Sequence, residues 1–230
     1  MHTAVKTAMN VLSLDSATEA CSAAVLCDNV LVAHRFETMR RGHAEILMIL
    51  VQDVMQQAGL AFGQLDLIAT TVGPGGFTGL RIGLASARGL ALAAGIPLVG
   101  VTTLEAVARA HPPTEGPLLI ALDSKRADLY MQLFDINGGP LSAPSAMLPS
   151  EIEPALPNEA IAVGGNAADR VLEAFADRPS PMRQHEGPTL PDAATVAKIG
   201  AERHAQAPSN EAPRPLYLRP PDAQRPSTQR

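Results

Sequence analysis

The chain has no tryptophan, and aromatic residues of all kinds make up only 3% of its 230 positions. Stacking platforms for unpaired bases are therefore poorly supplied. A basic field is missing too: 18 Lys and Arg stand against 23 Asp and Glu, for a net charge of −5. That balance argues against a protein that grips nucleic acid alone, because phosphate binding needs positive charge. The one tight basic cluster, Arg35, Arg40 and Arg41, reads as a solvated loop. No run of about 18 apolar residues occurs, and no basic segment followed by a long apolar one opens the chain. A soluble, cytoplasmic protein with no membrane association is expected. Cysteine is scarce as well. Cys21 and Cys27 fall in what reads as one extended segment, about 20 Å apart at strand rise. A disulfide needs Cα atoms within about 7 Å, so both are expected as reduced core thiols. The six histidines, at positions 2, 34, 43, 111, 185 and 204, include no pair spaced four apart on a helix. A helical imidazole pair for zinc or iron is thereby excluded.

What is present is a large core and one glycine-rich stretch. Hydrophobic residues account for 46% and charged residues for 18%, enough for one big domain or two modest lobes. The stretch Gly73-Pro74-Gly75-Gly76-Phe77-Thr78-Gly79-Leu80-Arg81-Ile82-Gly83 follows an apolar run, Leu65 to Val72, and leads into a small-residue helix, about Leu80 to Ala94. Strand, glycine loop and helix is a layout that points free N–H groups at an anion. It is equally the layout of a tight turn under a closely packed helix.

Taken in order, Val11–Leu14, Cys21–Leu26 and Val30–Glu37 read as three short strands in an antiparallel meander. A helix over about Ala44 to Ala58, stopped by Gly59, carries Ile46, Leu47, Leu50, Val51, Val54 and Ala58 at core spacing. Met48, Ile49 and Met55 add apolar surface off that stripe, which predicts a second partner for this helix. The glycine-loop helix carries Gly83, Ala87, Ala91 and Ala94 in register, the pattern of close packing. A strand over Ile96–Val101 and a helix over Thr103–His111 follow, ended by Pro112-Pro113. Beyond that break the opening pattern returns: Leu14-Asp15-Ser16 and a strand recur, 108 positions on, as Leu122-Asp123-Ser124 and Leu129–Phe134. Such a repeat indicates two lobes of related design. The expected division is an N-terminal lobe over 10–112, a smaller C-terminal lobe over 117–206, and a proline-rich tail over 207–230. Residues 137–160 read as a long loop with short strands, Ile161–Gly164 as a strand before a helix to about Ala176, and Asp192 to about Ala205 as a helix.

Chemistry is harder to find. A P-loop needs Gly-Lys-Ser/Thr five residues after its first glycine; from Gly73 that position is Thr78 and no Lys follows. A dinucleotide fingerprint places its third glycine on Thr78 as well, and no Gly-x-Ser-x-Gly elbow occurs. Asp15 and Asp123, at strand ends, are the candidates for holding a hydrated metal beside a nucleotide. Turn capping is the competing role for both. His43 reads as a cap or interface residue, and no nucleophile-base pair shows in the spacing.

The segments Leu14-Asp15-Ser16-Ala17-Thr18-Glu19-Ala20-Cys21-Ser22, Gly42-His43-Ala44-Glu45, Gly73 to Gly83, Ala121-Leu122-Asp123 and the terminal Pro-Leu-Tyr-Leu-Arg resemble the bacterial TsaB family. Gly76 stands where that family often has Ser. The resemblance implies an α/β, actin/Hsp70-like (ASKHA, RNase H-like) two-lobe fold with mixed sheets flanked by helices. It implies a part in making N6-threonylcarbamoyladenosine beside the anticodon of tRNA. In that pathway a TsaD-type subunit carries a metal and transfers the threonylcarbamoyl group from threonylcarbamoyl-AMP, and a TsaE-type ATPase joins the complex. The TsaD relatives carry His-x-x-x-His in the segment matching Gly100-Val101-Thr102-Thr103-Leu104-Glu105-Ala106-Val107. Here Thr103 and Val107 hold the two ligand positions, which points to a non-catalytic paralogue with no bound metal or cofactor of its own.

The expectation is an interaction subunit that contacts a TsaD-type partner through its two N-lobe helices, with Leu47, Met48, Leu50, Val51, Met55, Ile82, Ser86 and Leu90 as contact candidates. Alone, it is expected to form a homodimer on the same helices, and to reach tRNA through the complex. The rival expectation is an autonomous ATP-binding enzyme, an ATPase or phosphotransferase, using Asp15 and Asp123.

Overall fold

The computed structural model describes residues 9–208 and 211–219. Residues 1–8 lie outside the described residues, as do positions 209–210 and 220–230 of the tail.

The chain opens with three strands, β1 (Asn10–Asp15), β2 (Ala20–Cys27) and β3 (Val30–Thr38), paired antiparallel as expected. Asp28 and Asn29 take positive φ in the β2–β3 turn, a conformation their short polar side chains tolerate. Helix α1 (His43–Ala58) follows, then β4 (Leu67–Thr71), α2 (Phe77–Ala94), β5 (Leu98–Val101) and α3 (Thr103–Ala110). Gly59 and Gly95, both left-handed, close α1 and α2 by donating N–H to carbonyls of the last turn. The second half repeats the design with β6 (Leu118–Asp123), β7 (Leu129–Phe134), β8 (Ser145–Met147), β9 (Ile161–Gly164), α4 (Ala168–Ala174), β10 (Met182–Gln184) and α5 (Ala193–Gln206).

Two mixed five-stranded sheets result. The first runs β3-β2-β1-β4-β5 and the second β8-β7-β6-β9-β10. In both, an antiparallel hairpin pair sits beside the first strand of the lobe, and two parallel strands complete the other side. The tripeptide repeat therefore marks a duplicated fold: Asp15 and Asp123 end the central strand of each sheet. Two lobes of mixed sheets flanked by helices are thus formed, as the resemblance implies. Strand β10, the three residues that follow Pro181, carries no apolar pattern and was not legible as a strand.

One face of the first sheet packs on α1 and α2 in a cluster that includes Leu12, Leu14, Ile68, Leu50, Val54 and Ala87. The opposite face packs on α5, where Val11, Leu67 and Val101 meet Val196 and Ile199. Helix α3 turns Leu104 and Val107 toward β6 and β7 of the second sheet, together with Ile120 and Phe134. The domain boundaries therefore need correction. Residues 193–206 were expected in the C-terminal lobe, yet α5 lies on the N-terminal sheet, with Gly200 so close to Ala69 that a Cβ would collide. Within the tail, residues 213–219 run back along the N-terminal lobe, with the Pro213 carbonyl accepting from Arg88 and the Leu216 N–H donating to the Val72 carbonyl. Cys21 and Cys27 are free thiols on one strand, and burial pushes the Cys21 thiol up to about 12. Among the described residues, no helix is long and apolar enough to cross a membrane.

Candidate functional site

A cleft of about 560 Å³ opens between the lobes where the two Asp-Ser turns face each other. The β1–β2 turn contributes Ser16 to Glu19, the β6–β7 turn contributes Ser124 and Lys125, and the glycine loop contributes Pro74 to Gly79. Arg40, Arg41, His43 and Lys125 are offset by Glu19, Glu45 and Asp123, so the cleft is not a basic one.

Asp15 is fully buried. Its Oδ1 accepts from the Thr71 hydroxyl at 2.5 Å and the Ala17 N–H at 3.1 Å, while Oδ2 has no partner. Burial drives its carboxyl up from 3.8 to about 7 against these hydrogen bonds. This is a turn cap sealed under the β1–β2 turn, and the side chain does not line the cleft. Asp123 makes the equivalent cap: its Oδ1 accepts the Lys125 N–H at 2.8 Å. Burial alone would raise its pKa, but hydrogen bonds from the Lys125 backbone and ammonium, with Arg170 nearby, hold it below the usual carboxylate range. Lys125 also bonds Glu19 across the cleft at 2.8 Å, a link that joins the two turns. Of the two sequence candidates for a nucleotide or metal, then, only Asp123 reaches the cleft, and there it is already paired. Among the described residues no three His, Cys, Asp or Glu side chains cluster in a way that could hold a metal.

The glycine loop fits the turn beside it. The Gly76 N–H donates to the Ala17 carbonyl at 2.8 Å and the Ser16 hydroxyl donates to the Gly79 carbonyl at 2.9 Å. A Cβ on Gly75 or Gly79 would land on the carbonyl oxygens of Ala17 and Ser16, far inside 3.0 Å, and one on Gly83 would meet Ser16 Oγ at 2.7 Å. Backbone N–H groups that a phosphate would claim are likewise in use: Ala17 N–H by Asp15, Lys125 N–H by Asp123, and Asp123 N–H by Asn166. The glycines let α2 sit directly on the β1–β2 turn. The helix also begins at Phe77, three residues before the expected Leu80, because the loop's last glycines are already its first turn.

Helices α1 and α2 lie side by side on the outer face of this joint, and the structure divides the eight expected contact residues. Leu47, Leu50, Val51 and Met55 are at most 3% exposed and belong to the core, so they have no surface to offer a partner. That corrects the expectation for all four; Met55 lies inside the stripe, not off it. Met48, Ile82, Ser86 and Leu90 stay partly exposed. Met48, Ile82 and Leu90 rest on the same apolar cluster, and Ile49 and Leu92 are more exposed still. His43 is a joint residue, its Nε2 2.8 Å from the Thr18 carbonyl. Thr103 and Val107, in the matching His-x-x-x-His positions, are both fully buried on α3, with the Thr103 N–H bonded to the Gly73 carbonyl.

Comparison with known proteins agrees with this geometry. Residues 33–175, over half of the chain, match the family model described as TsaD, tRNA N6-adenosine threonylcarbamoyltransferase. An Escherichia coli protein described as tRNA threonylcarbamoyladenosine biosynthesis protein TsaB is 39% identical over 134 residues, 56% of this chain and 58% of that protein. The chain thus aligns with little more than half the length of that relative. An uncharacterised Mycobacterium bovis protein is 32% identical over 219 residues, 93% of each chain. The solved structure of YeaZ from Pseudomonas aeruginosa superposes with a TM-score of 0.78 at 26% identity, covering 91% of this chain and 100% of that one. With its duplicated sheets, its glycine joint and these matches, the chain belongs to the TsaB/YeaZ family, glycoprotease-like proteins related to TsaD.

Proposed function

We propose that this chain is a non-catalytic subunit that supports a TsaD-type catalytic partner in forming N6-threonylcarbamoyladenosine next to the anticodon of tRNA. In this reading the partner transfers threonylcarbamoyl from threonylcarbamoyl-AMP and holds the metal, a TsaE-type ATPase consumes ATP, and tRNA binds through the complex. The observation that carries it is the paired outer surface of α1 and α2, where Met48, Ile49, Ile82 and Leu90 leave apolar area exposed on a helix pair already seated on its sheet. An apolar helix pair of this kind buries best against another such pair. Without the partner, the same surface supports a homodimer.

The description of the Escherichia coli relative and the match to the TsaD family model support the pathway. The sealed Asp15, the pairing of Asp123 and Glu19 with Lys125, and the occupied turn N–H groups support the absence of chemistry in this chain's own cleft. The test is association of purified chain with a TsaD-type partner, measured by sedimentation. Met48→Glu with Leu90→Glu is expected to abolish it while leaving the fold intact; unchanged association would refute the interface. Met55→Glu is unsuitable as a probe, because it places a charge in the core.

A rival reading, an autonomous ATP-binding enzyme, draws on one feature: the cleft is roomy and the start of α2 opens into it. Titration of the purified chain with ATP–Mg separates the two. Tight binding lost in Asp123→Ala would favour the enzyme.

A further inference from the structure

Two motifs far apart in sequence meet in the structure. Leu216 donates its N–H to the Val72 carbonyl at 2.7 Å, just past the end of β4. Gly73, at φ 104, has no room for a Cβ, because the Leu216 carbonyl oxygen lies 2.9 Å from where it would stand. Tyr217 packs its ring 5.5 Å from that of Phe77. The Arg81 guanidinium lies 3.6 Å over the same Phe77 ring, and its Nε donates to the Tyr217 hydroxyl at 3.0 Å. Phe77 and Arg81, the aromatic and the cationic side chain of the glycine stretch, are thus both engaged by the chain's own C-terminal segment.

Two residues further on, the segment changes lobes. Arg219 donates to Ser124 Oγ at 3.0 Å, pairs with Asp128, and sits 5.5 Å over the Tyr130 ring. Ser124 and Tyr130 belong to the C-terminal lobe and line the cleft, as Phe77 does from the other side. The Arg219 and Asp128 side chains are about four-fifths covered, while the Lys125–Glu19 link across the same cleft is more exposed on both partners. Covered, hydrogen-bonded ion pairs hold geometry better than exposed ones.

We propose that residues 213–219 form a clasp. The glycine stretch is its receptor on the N-terminal lobe, the β6–β7 turn is its catch on the C-terminal lobe, and the clasp fixes the angle between the lobes. A two-lobe chain held this way presents its helix pair and its cleft as one rigid body.

Hydrogen exchange on the full-length chain tests this. Arg219→Met leaves the Leu216 and Tyr217 contacts in place and removes only the catch. It is expected to speed exchange about fivefold or more in the turns at 124–129 and 16–19 while β1 and β4 keep their protection. Tyr217→Ala, which loosens the receptor end, is expected to give the same local pattern. Unchanged exchange at both turns would overturn the clasp. So would acceleration spread evenly over both lobes, which would mean that the segment supports general stability only.

Discussion

At Gly75 and Gly79 one added methyl group has nowhere to go, because carbonyl oxygens of the β1–β2 turn already occupy the space. Gly79→Ala is expected to lower stability by about 1–3 kcal/mol, the usual cost of overpacking. Gly89, in the same helix, has nothing within 4 Å of its would-be Cβ. Gly89→Ala is expected to raise stability by about 0.5–1 kcal/mol through helix propensity. Urea unfolding of the two variants checks both signs. Asp15 makes a prediction in pH. Its folded-state pKa lies above the unfolded value, so the native chain keeps a proton that the unfolded chain releases, and stability falls as pH rises from about 4 to about 7. The rise from 3.8 to about 7 corresponds to about 4 kcal/mol at 1.36 kcal/mol per pH unit. Asp15→Asn is expected to flatten that slope; unfolding at pH 5 and pH 8 that kept the parent's difference would contradict it. Both roles were half legible. The spacing of Asp15 and Asp123 marked strand ends and turn caps, but only the folded chain shows that one is sealed and the other paired.

At the scale of elements, the periodicity of α1 and its glycine stop at 59 could be read directly, because the helix period and left-handed caps are local properties. What periodicity could not do was divide apolar positions between core and surface. Met48 and Met55 are both apolar and, seven residues apart, lie within about 20° of each other around the helix, yet Met55 is buried and Met48 is partly exposed. That division depends on where α2 lies, which is a tertiary fact. It leads to a paired expectation. Leu50→Ala should cost about 2–5 kcal/mol of stability, as deletion from a closed core does. Met48→Glu, at a partly exposed position on the rim of that core, should cost the monomeric chain clearly less than Leu50→Ala does. Thermal and urea denaturation at low protein concentration checks both. The placement of α5 was hidden for a similar reason: its residues follow the second lobe in sequence, but its small face, Gly200 included, matches the first sheet.

At the scale of the whole molecule, the duplication was visible as one repeated tripeptide and is now seen as two sheets of the same strand order. The duplicated fold builds a cleft, and the chain fills the cleft's polar positions with its own caps, its Lys125–Glu19 link and its C-terminal segment. What it leaves open is a pair of helices. The central claim, a supporting subunit without chemistry of its own, is tested most directly by threonylcarbamoylation of tRNA reconstituted from a TsaD-type subunit, a TsaE-type ATPase, threonylcarbamoyl-AMP and this chain. Product is expected only when the chain is present, to be restored by an Asp123→Ala variant, and to be lost with Met48→Glu and Leu90→Glu together. Full product formation in its absence would contradict the claim.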